Sequence, residues 1–193
     1  MDFEQLKNII TRRRNIKPFA MNGKRIPDEQ IQALLELADW APTHGYTEPW
    51  YFPVFGGDAV KTFCTAHAEM YKANTPTEKF IPGNYEKLKT QGDLASHIIV
   101  LCMKRGNKPG IPEIEEIAAV SCAVQNLWLG ATALGLAGYW GSGGMTFSPA
   151  MKDYLSLGEE DKVLGIFYLG YTDEPMPEGR RLKPLSEKIK WEK

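Results

Sequence analysis

Ile117–Gly144 reads IAAVSCAVQNLWLGATALGLAGYWGSGG, and no charged residue occurs from Ile117 to Met151. The part up to Leu134 is nearly long enough to span a bilayer. Ser121, Gln125, Asn126 and Thr132 interrupt it, however, and alanine outnumbers leucine. That polarity argues for a buried core helix over Glu113–Leu134 and against a membrane segment. A helix apolar nearly all round must be covered on every side. A chain of 193 residues covers it only in part, so the run predicts a second copy of the chain across an extensive interface.

Working outward, Phe3, Leu6, Ile9 and Ile10 fall at helical spacing within Asp2–Arg14, which ends in three arginines where the helix dipole favours cations. Pro27-Asp28-Glu29 opens a second helix through Trp40, with Ile31, Leu34, Leu35 and Ala38 on one face. Tyr51–Phe55 predicts a short strand and Asp58–Lys72 a helix. Residues 73–93 are polar and punctuated by prolines, and predict a mobile excursion with one short helix. HIIVLCM (His97–Met103) predicts a buried strand. Gly138–Gly141 follows as a brief strand, Ser148–Leu155 as a short helix and Lys162–Tyr171 as a long strand. Two helices precede any strand and no regular βαβ succession appears. The expectation is one α+β domain over 1–193, with helices packed about a sheet.

Lys+Arg (23) and Asp+Glu (24) nearly cancel, so no global basic field recruits nucleic acid. Three cysteines form no C-x-x-C pair, which predicts reduced, buried thiols in a cytoplasmic protein. The first dozen residues carry charge throughout, unlike a signal peptide. The three histidines have no partner at i+4, so no metal site is expected. G-x-S-x-G is missing and Cys122 lies mid-helix among apolar residues, which leaves nucleophilic catalysis unsupported.

Three stretches suit ligand binding, and each also has a plainer reading. Arg12-Arg13-Arg14 offers guanidinium forks for a phosphate, or simply a solvated helix terminus. WAPTHGYTEPWYF (Trp40–Phe52) is stiffened by Pro42 and Pro49 and carries His44, Tyr46 and Glu48. It suits the border of a planar heteroaromatic ligand, or a packed cover over the core. WGSGG (Trp140–Gly144) lets backbone N–H groups approach an anion or a ring edge, or is only a tight turn. It is not the G-x-G-x-x-G fingerprint of dinucleotide folds.

The order of RRRNIKPF (Arg12–Phe19), APTHGYTEPWYF (Ala41–Phe52), the Ala118–Gly143 run, DKVLGIFYLGY (Asp161–Tyr171) and RRLKPLSEKIKW (Arg180–Trp191) resembles the nitroreductase family of FMN-dependent oxidoreductases, in its short, compact members. The resemblance implies a central, mainly antiparallel sheet flanked by helices. It also implies an intertwined homodimer with two FMN molecules between the subunits, and residues 172–193 reaching the partner. By the same resemblance Arg12 and Arg13 hold the FMN phosphate with Arg14 at the third position, helped by Arg181 or, alternatively, Arg180 or Lys183. His44 and Glu48 flank the flavin, and Trp140, Gly141 and Ser142 touch it. Tyr71, Phe80 and Tyr85 form a lid or substrate wall.

The implied activity is NAD(P)H-dependent reduction of nitroaromatics, quinones or similar acceptors, with hydride passing through flavin N5 in two steps. No side chain acts as acid, base or nucleophile. Other flavin chemistry on the same scaffold, a flavin-binding protein without turnover and a non-flavin helical dimer are the alternatives. Three positions depart from the family pattern: Arg14 where serine is frequent, Glu48 where an amide is frequent, and Gly141 where arginine is frequent. A carboxylate at 48 accepts from flavin N3–H but repels an anion at N1 and O2.

Overall fold

The computed structural model describes residues 2–192. At its centre lies β3 (His97–Met103), with all seven residues buried. Side chains alternate across a strand, so β3 divides the core in two. Ile99, Leu101 and Met103 face one apolar layer, shared with α2 (Asp28–Asp39) and α5 (Glu113–Ala133). Ile98, Val100 and Cys102 face the other, shared with α3 (Asp58–Asn74) and α6 (Pro149–Tyr154). β5 (Lys162–Gly170) runs antiparallel along one side of β3, and β4 (Ala137–Gly141) lies beyond it. The other side of β3 pairs with β1 (Trp50–Tyr51) and then β2 (Val54–Gly56), again antiparallel.

The single strand expected over Tyr51–Phe55 is therefore two. Pro53 has no N–H to give the ladder, and pairing lapses there, although its carbonyl accepts from Val100 N at 2.9 Å. A register shift opposite Leu101 and Cys102 leaves Leu164 as an extra residue in β5. Gly165 beside it is required: a Cβ there would collide with the Trp140 indole, whose Nε1–H donates to the Leu164 carbonyl at 3.1 Å.

α1 (Phe3–Arg12) begins with a capping box between Asp2 and Gln5. It stops two residues before the expected Arg14 because the edge of β4 captures the chain. Ile16 N donates to the Gly138 carbonyl at 2.9 Å, and Asn15 bridges Gly138 in parallel. α5 starts on a buried ion pair: Glu116, 1% exposed, binds Arg105 Nη1 and accepts from Gly106 N at 3.1 Å. Arg105 Nη2 also donates to the Ile111 carbonyl at 2.6 Å.

α5 buries Ala119, Val120, Ala123, Val124, Leu127 and Ala131 but turns one stripe outward. Ile114, Ala118, Cys122 and Gln125 lie on that stripe. The expectation of three buried thiols thus holds for Cys64 and Cys102 and fails for Cys122, which is exposed. Helical spacing places Cys122 four residues from Ala118, on the face opposite the sheet. α1 buries none of its residues and exposes Phe3, Leu6 and Ile10. Residues 73–93 finish α3 at Asn74 and then fold as a short 3₁₀ turn and α4 (Pro82–Thr90), which packs along α3. From Asp173 onward every described residue is exposed. No helix among the described residues is long and apolar enough to cross a membrane.

Candidate functional site

Where α1 ends, arginines gather. Arg13 is the C-cap, and its guanidinium carbon lies 4.3 Å from the ring centroid of Trp128 on α5, a cation–π contact. Partial burial, then the neighbouring charges of Arg14 and Arg181, hold Arg13 below its ordinary pKa. Arg181, from the far end of the chain, is thus one of the two cations whose charge acts on Arg13. Arg14 donates from Nε to the Pro177 carbonyl at 2.7 Å and from Nη1 to the carbonyls of Thr11 and Arg13 at 2.7 and 2.8 Å. Among the described residues no carboxylate forms an ion pair with Arg12, Arg13, Arg14, Arg180, Arg181 or Lys183. The cluster is a convergence of like charges that the chain itself leaves uncompensated.

A cavity of about 710 Å³ opens between the segment after α1, the end of β4 and the α3–α4 pair. Lys17 and Phe19 line one wall, Tyr139, Gly141, Gly143 and Gly144 a second, and Tyr71 and Lys87 a third. His67 on α3 fixes the glycine turn from beneath. Its Nε2 accepts from Met145 N at 2.8 Å, which places the ring proton on Nδ1. Burial pushes His67 down to about 4, so it is a neutral acceptor. Gly144, at φ 65°, lies so close that a Cβ would meet His67 Nε2 at 2.7 Å. Thr146 Oγ1 closes the turn on the Gly143 carbonyl at 2.6 Å.

The aromatic loop is built separately. Gly45, Tyr46 and Glu48 all have positive φ (61°, 56° and 43°), a conformation that non-glycine residues adopt only under constraint. The constraints are visible: Lys108 Nζ binds the Gly45 carbonyl, His44 Nδ1 lies 2.6 Å from Glu115 Oε2, and Glu48 N donates to Thr43 Oγ1 at 3.2 Å. His44, Tyr46 and Glu48 are exposed, and none lines the cavity.

One chain thus sets Arg13 next to Arg14 with the charge of Arg181 acting on it, and puts Gly141 and Tyr71 on the cavity. It does not bring His44 or Glu48 there. Trp140 turns its indole to Gly165 and packs with the core, while Ser142 is exposed beyond it. Phe80 stacks on Tyr71 at 5.5 Å, Tyr85 lies 6.2 Å from Phe80, and the Tyr85 hydroxyl donates to Glu69 at 2.5 Å. Of these three rings only Tyr71 reaches the cavity.

Sequence reading passed over Lys17, Phe19 and His67. For Lys17 a partial signal existed in the alternation Asn15-Ile16-Lys17-Pro18; Phe19 is apolar yet exposed and breaks it. His67 had none, because its partner is the backbone of a turn 78 positions away.

Other chemistry finds no support. Among the described residues no group of three or more metal-ligating side chains occurs. Burial raises Cys64 to about 11 and Cys102 to about 12, far from a thiolate. Ser96, His97 and Asp28 form a chain of 2.9 and 3.2 Å contacts, but the buried Ser96 hydroxyl accepts from Ile26 N and ties β3 to the start of α2.

A model of the nitroreductase family matches residues 10–171. The chain belongs to that family. It is 30% identical over 142 residues to the Escherichia coli protein named "Putative NAD(P)H nitroreductase YdjA", covering 74% of this chain and 75% of the relative. The solved structure of a nitroreductase-like family protein from Bacillus cereus superimposes with a TM-score of 0.84 at 27% identity, covering 99% of this chain and 97% of that one. That of the FMN-dependent nitroreductase NfnB from Mycobacterium smegmatis, in complex with NADPH, gives 0.76 at 21% identity, with complete coverage of both. This nitroreductase-family chain therefore has the expected α+β fold, with an antiparallel sheet flanked by helices.

Proposed function

We propose that the chain is an FMN-dependent NAD(P)H oxidoreductase, working as a homodimer on small acceptors such as nitroaromatics or quinones. The observation that carries this reading is the set of cations at the end of α1, Arg13 with Arg14 next to it and Arg181 acting on it, none of them ion-paired to a carboxylate among the described residues. A phosphate with close to two negative charges satisfies guanidinium forks better than any single side chain. The cavity, which none of these arginines lines, suits the flat portion of such a ligand: glycines on its rim leave the backbone uncovered, and Phe19 and Tyr139 give apolar surface. FMN, when bound, supplies the two-electron relay between the nicotinamide and the acceptor.

The chain's own residues bind and orient. Arg12 and Arg13 hold the phosphate. Lys17, a cation on the cavity wall with no carboxylate partner among the described residues, favours an electron-rich ring. The neutral His67 keeps the glycine turn in place. Tyr71, backed by Phe80 and Tyr85, walls the acceptor side.

A second copy completes this arrangement. The outward stripe of α5, the exposed apolar face of α1 and the uncovered tail with Leu182 and Trp191 all lack a partner within one chain. Dimerisation through α5 covers them and carries His44 and Glu48 to the partner's flavin. In the single chain both residues stand away from the cavity. The test is an absorption spectrum of the freshly purified protein, followed by anaerobic mixing with NADPH or NADH. Bleaching of a flavin band within the turnover time is expected. A colourless protein with no affinity for added FMN would overturn the reading.

A further inference from the structure

We propose that Arg14 is a positioning residue, clasping the C-terminal segment to the end of α1 so that cofactor binding and docking of the tail form one linked equilibrium. The proposal rests on reading the guanidinium cluster as an FMN phosphate site. Arg14 spends three of its five N–H donors on main-chain carbonyls: Nε on Pro177, and Nη1 on Thr11 and Arg13. One guanidinium therefore joins both ends of the chain. Gly179 is packed against it so closely that a Cβ would overlap the Arg14 guanidinium.

Upstream, the tail is tied down by Thr172 Oγ1 on the Ala20 carbonyl at 2.6 Å and by Asp173 with Asn22 at 2.8 Å. The Arg14–Pro177 bond is the last. Beyond it, among the described residues, every hydrogen bond or ion pair of the tail stays within the tail. Arg14 thus holds the last anchored point of the tail, four residues before Arg181. Docking adds the cations of the tail to those at the end of α1, with no ion-paired carboxylate there among the described residues. An anion relieves that repulsion, so FMN favours the docked tail, and by reciprocity the docked tail favours FMN by the same factor.

Trypsin reads this equilibrium at Arg180 and Arg181. In the full-length protein, saturating FMN is expected to slow cleavage there, and inorganic phosphate to slow it partly. Arg14→Ser should weaken FMN binding by about tenfold and abolish the FMN-dependent protection. Arg14→Lys should resemble it, because an ammonium keeps the charge but not the fork. Gly179→Ala, which keeps every arginine, should fall in between, and it decides the matter if Arg14→Ser does not fold. Wild-type affinity and protection in Gly179→Ala, with Arg14→Lys also close to wild type, would make Arg14 a direct charge rather than a clasp and overturn the proposal. Undiminished FMN binding by Arg13→Ala would instead overturn the phosphate reading beneath it.

Discussion

Arg105 and Arg13 are the same side chain put to opposite uses. Arg105 meets the buried carboxylate of Glu116 and the Ile111 carbonyl, and the bond to Glu116 raises its pKa. Arg13 meets a tryptophan face, and its pKa is lowered, by burial first and by the like charges of Arg14 and Arg181 second. The first site is completed by the chain itself and serves the fold. The second is left open, which is how a site for an external anion differs from a structural ion pair.

Removing the carboxylate from the closed site should have the largest effect. Glu116→Ala leaves the Arg105 guanidinium and the Gly106 N–H without their acceptor at the start of α5. Breaking a buried pair from one side is far costlier than replacing both partners. The melting temperature should drop by on the order of 10 °C, and the double change Arg105→Met with Glu116→Leu should recover much of it. A melting curve for Glu116→Ala that matches the wild type would erase the distinction between the two sites.

A third kind of charge control sharpens the comparison. His67 is buried and no ionic partner contributes to its shift; its pKa falls from 6.5 to about 4 through burial alone. The unfolded chain therefore binds a proton between those values while the folded chain does not. The stabilisation is complete above pH 6.5 and is lost as pH falls toward 4, amounting to roughly 3 kcal/mol. Urea midpoints measured from pH 7 to 4 should show this slope, and His67→Gln should flatten it. An unchanged slope in that variant would assign acid sensitivity elsewhere.

How much of this was legible beforehand follows from what each feature depends on. β3 and α5 stand out because a continuous apolar run needs no knowledge of its neighbours. The division of one strand at Pro53 was not read, although proline cannot feed a ladder and the residue itself carried the signal. The arginine triplet was readable as a charge cluster, but not the separate employment of Arg14, whose acceptor at Pro177 lies 163 positions away. The same holds for the His67–Met145 bond. Exposure of Cys122 depended on which stripe of an almost uniformly apolar helix turned outward, and hydrophobic periodicity is weakest where every face is apolar. The aromatic loop announced its stiffness through Pro42 and Pro49. That one chain holds it away from the cavity is a matter of tertiary placement alone.

At the open site charge removal should register in ligand binding, where at the closed one it registers in stability. On the proposed reading, Arg12→Ala with Arg13→Ala weakens FMN binding by about a hundredfold, read by quenching of flavin fluorescence. The apo protein should melt close to wild type, because losing a cation from an uncompensated cluster relieves repulsion and offsets the lost contact with Trp128. Retained affinity in the double variant would remove the phosphate from this place.

Salt should give the smallest and most selective effect. Exposed charges are screened over about 10 Å at 0.1 M ionic strength and about 3 Å at 1 M, whereas buried pairs are screened much less. Raising sodium chloride from 50 to 500 mM should weaken FMN binding several-fold, because the arginines at the end of α1 meet their anion near solvent. The same change should leave the stability difference between wild type and Glu116→Ala nearly constant, because that pair is shielded by the chain. If the difference collapsed with salt while FMN affinity stayed level, solvent would be reaching the supposedly closed site and not the open one, and the contrast between Arg105 and Arg13 would be reversed.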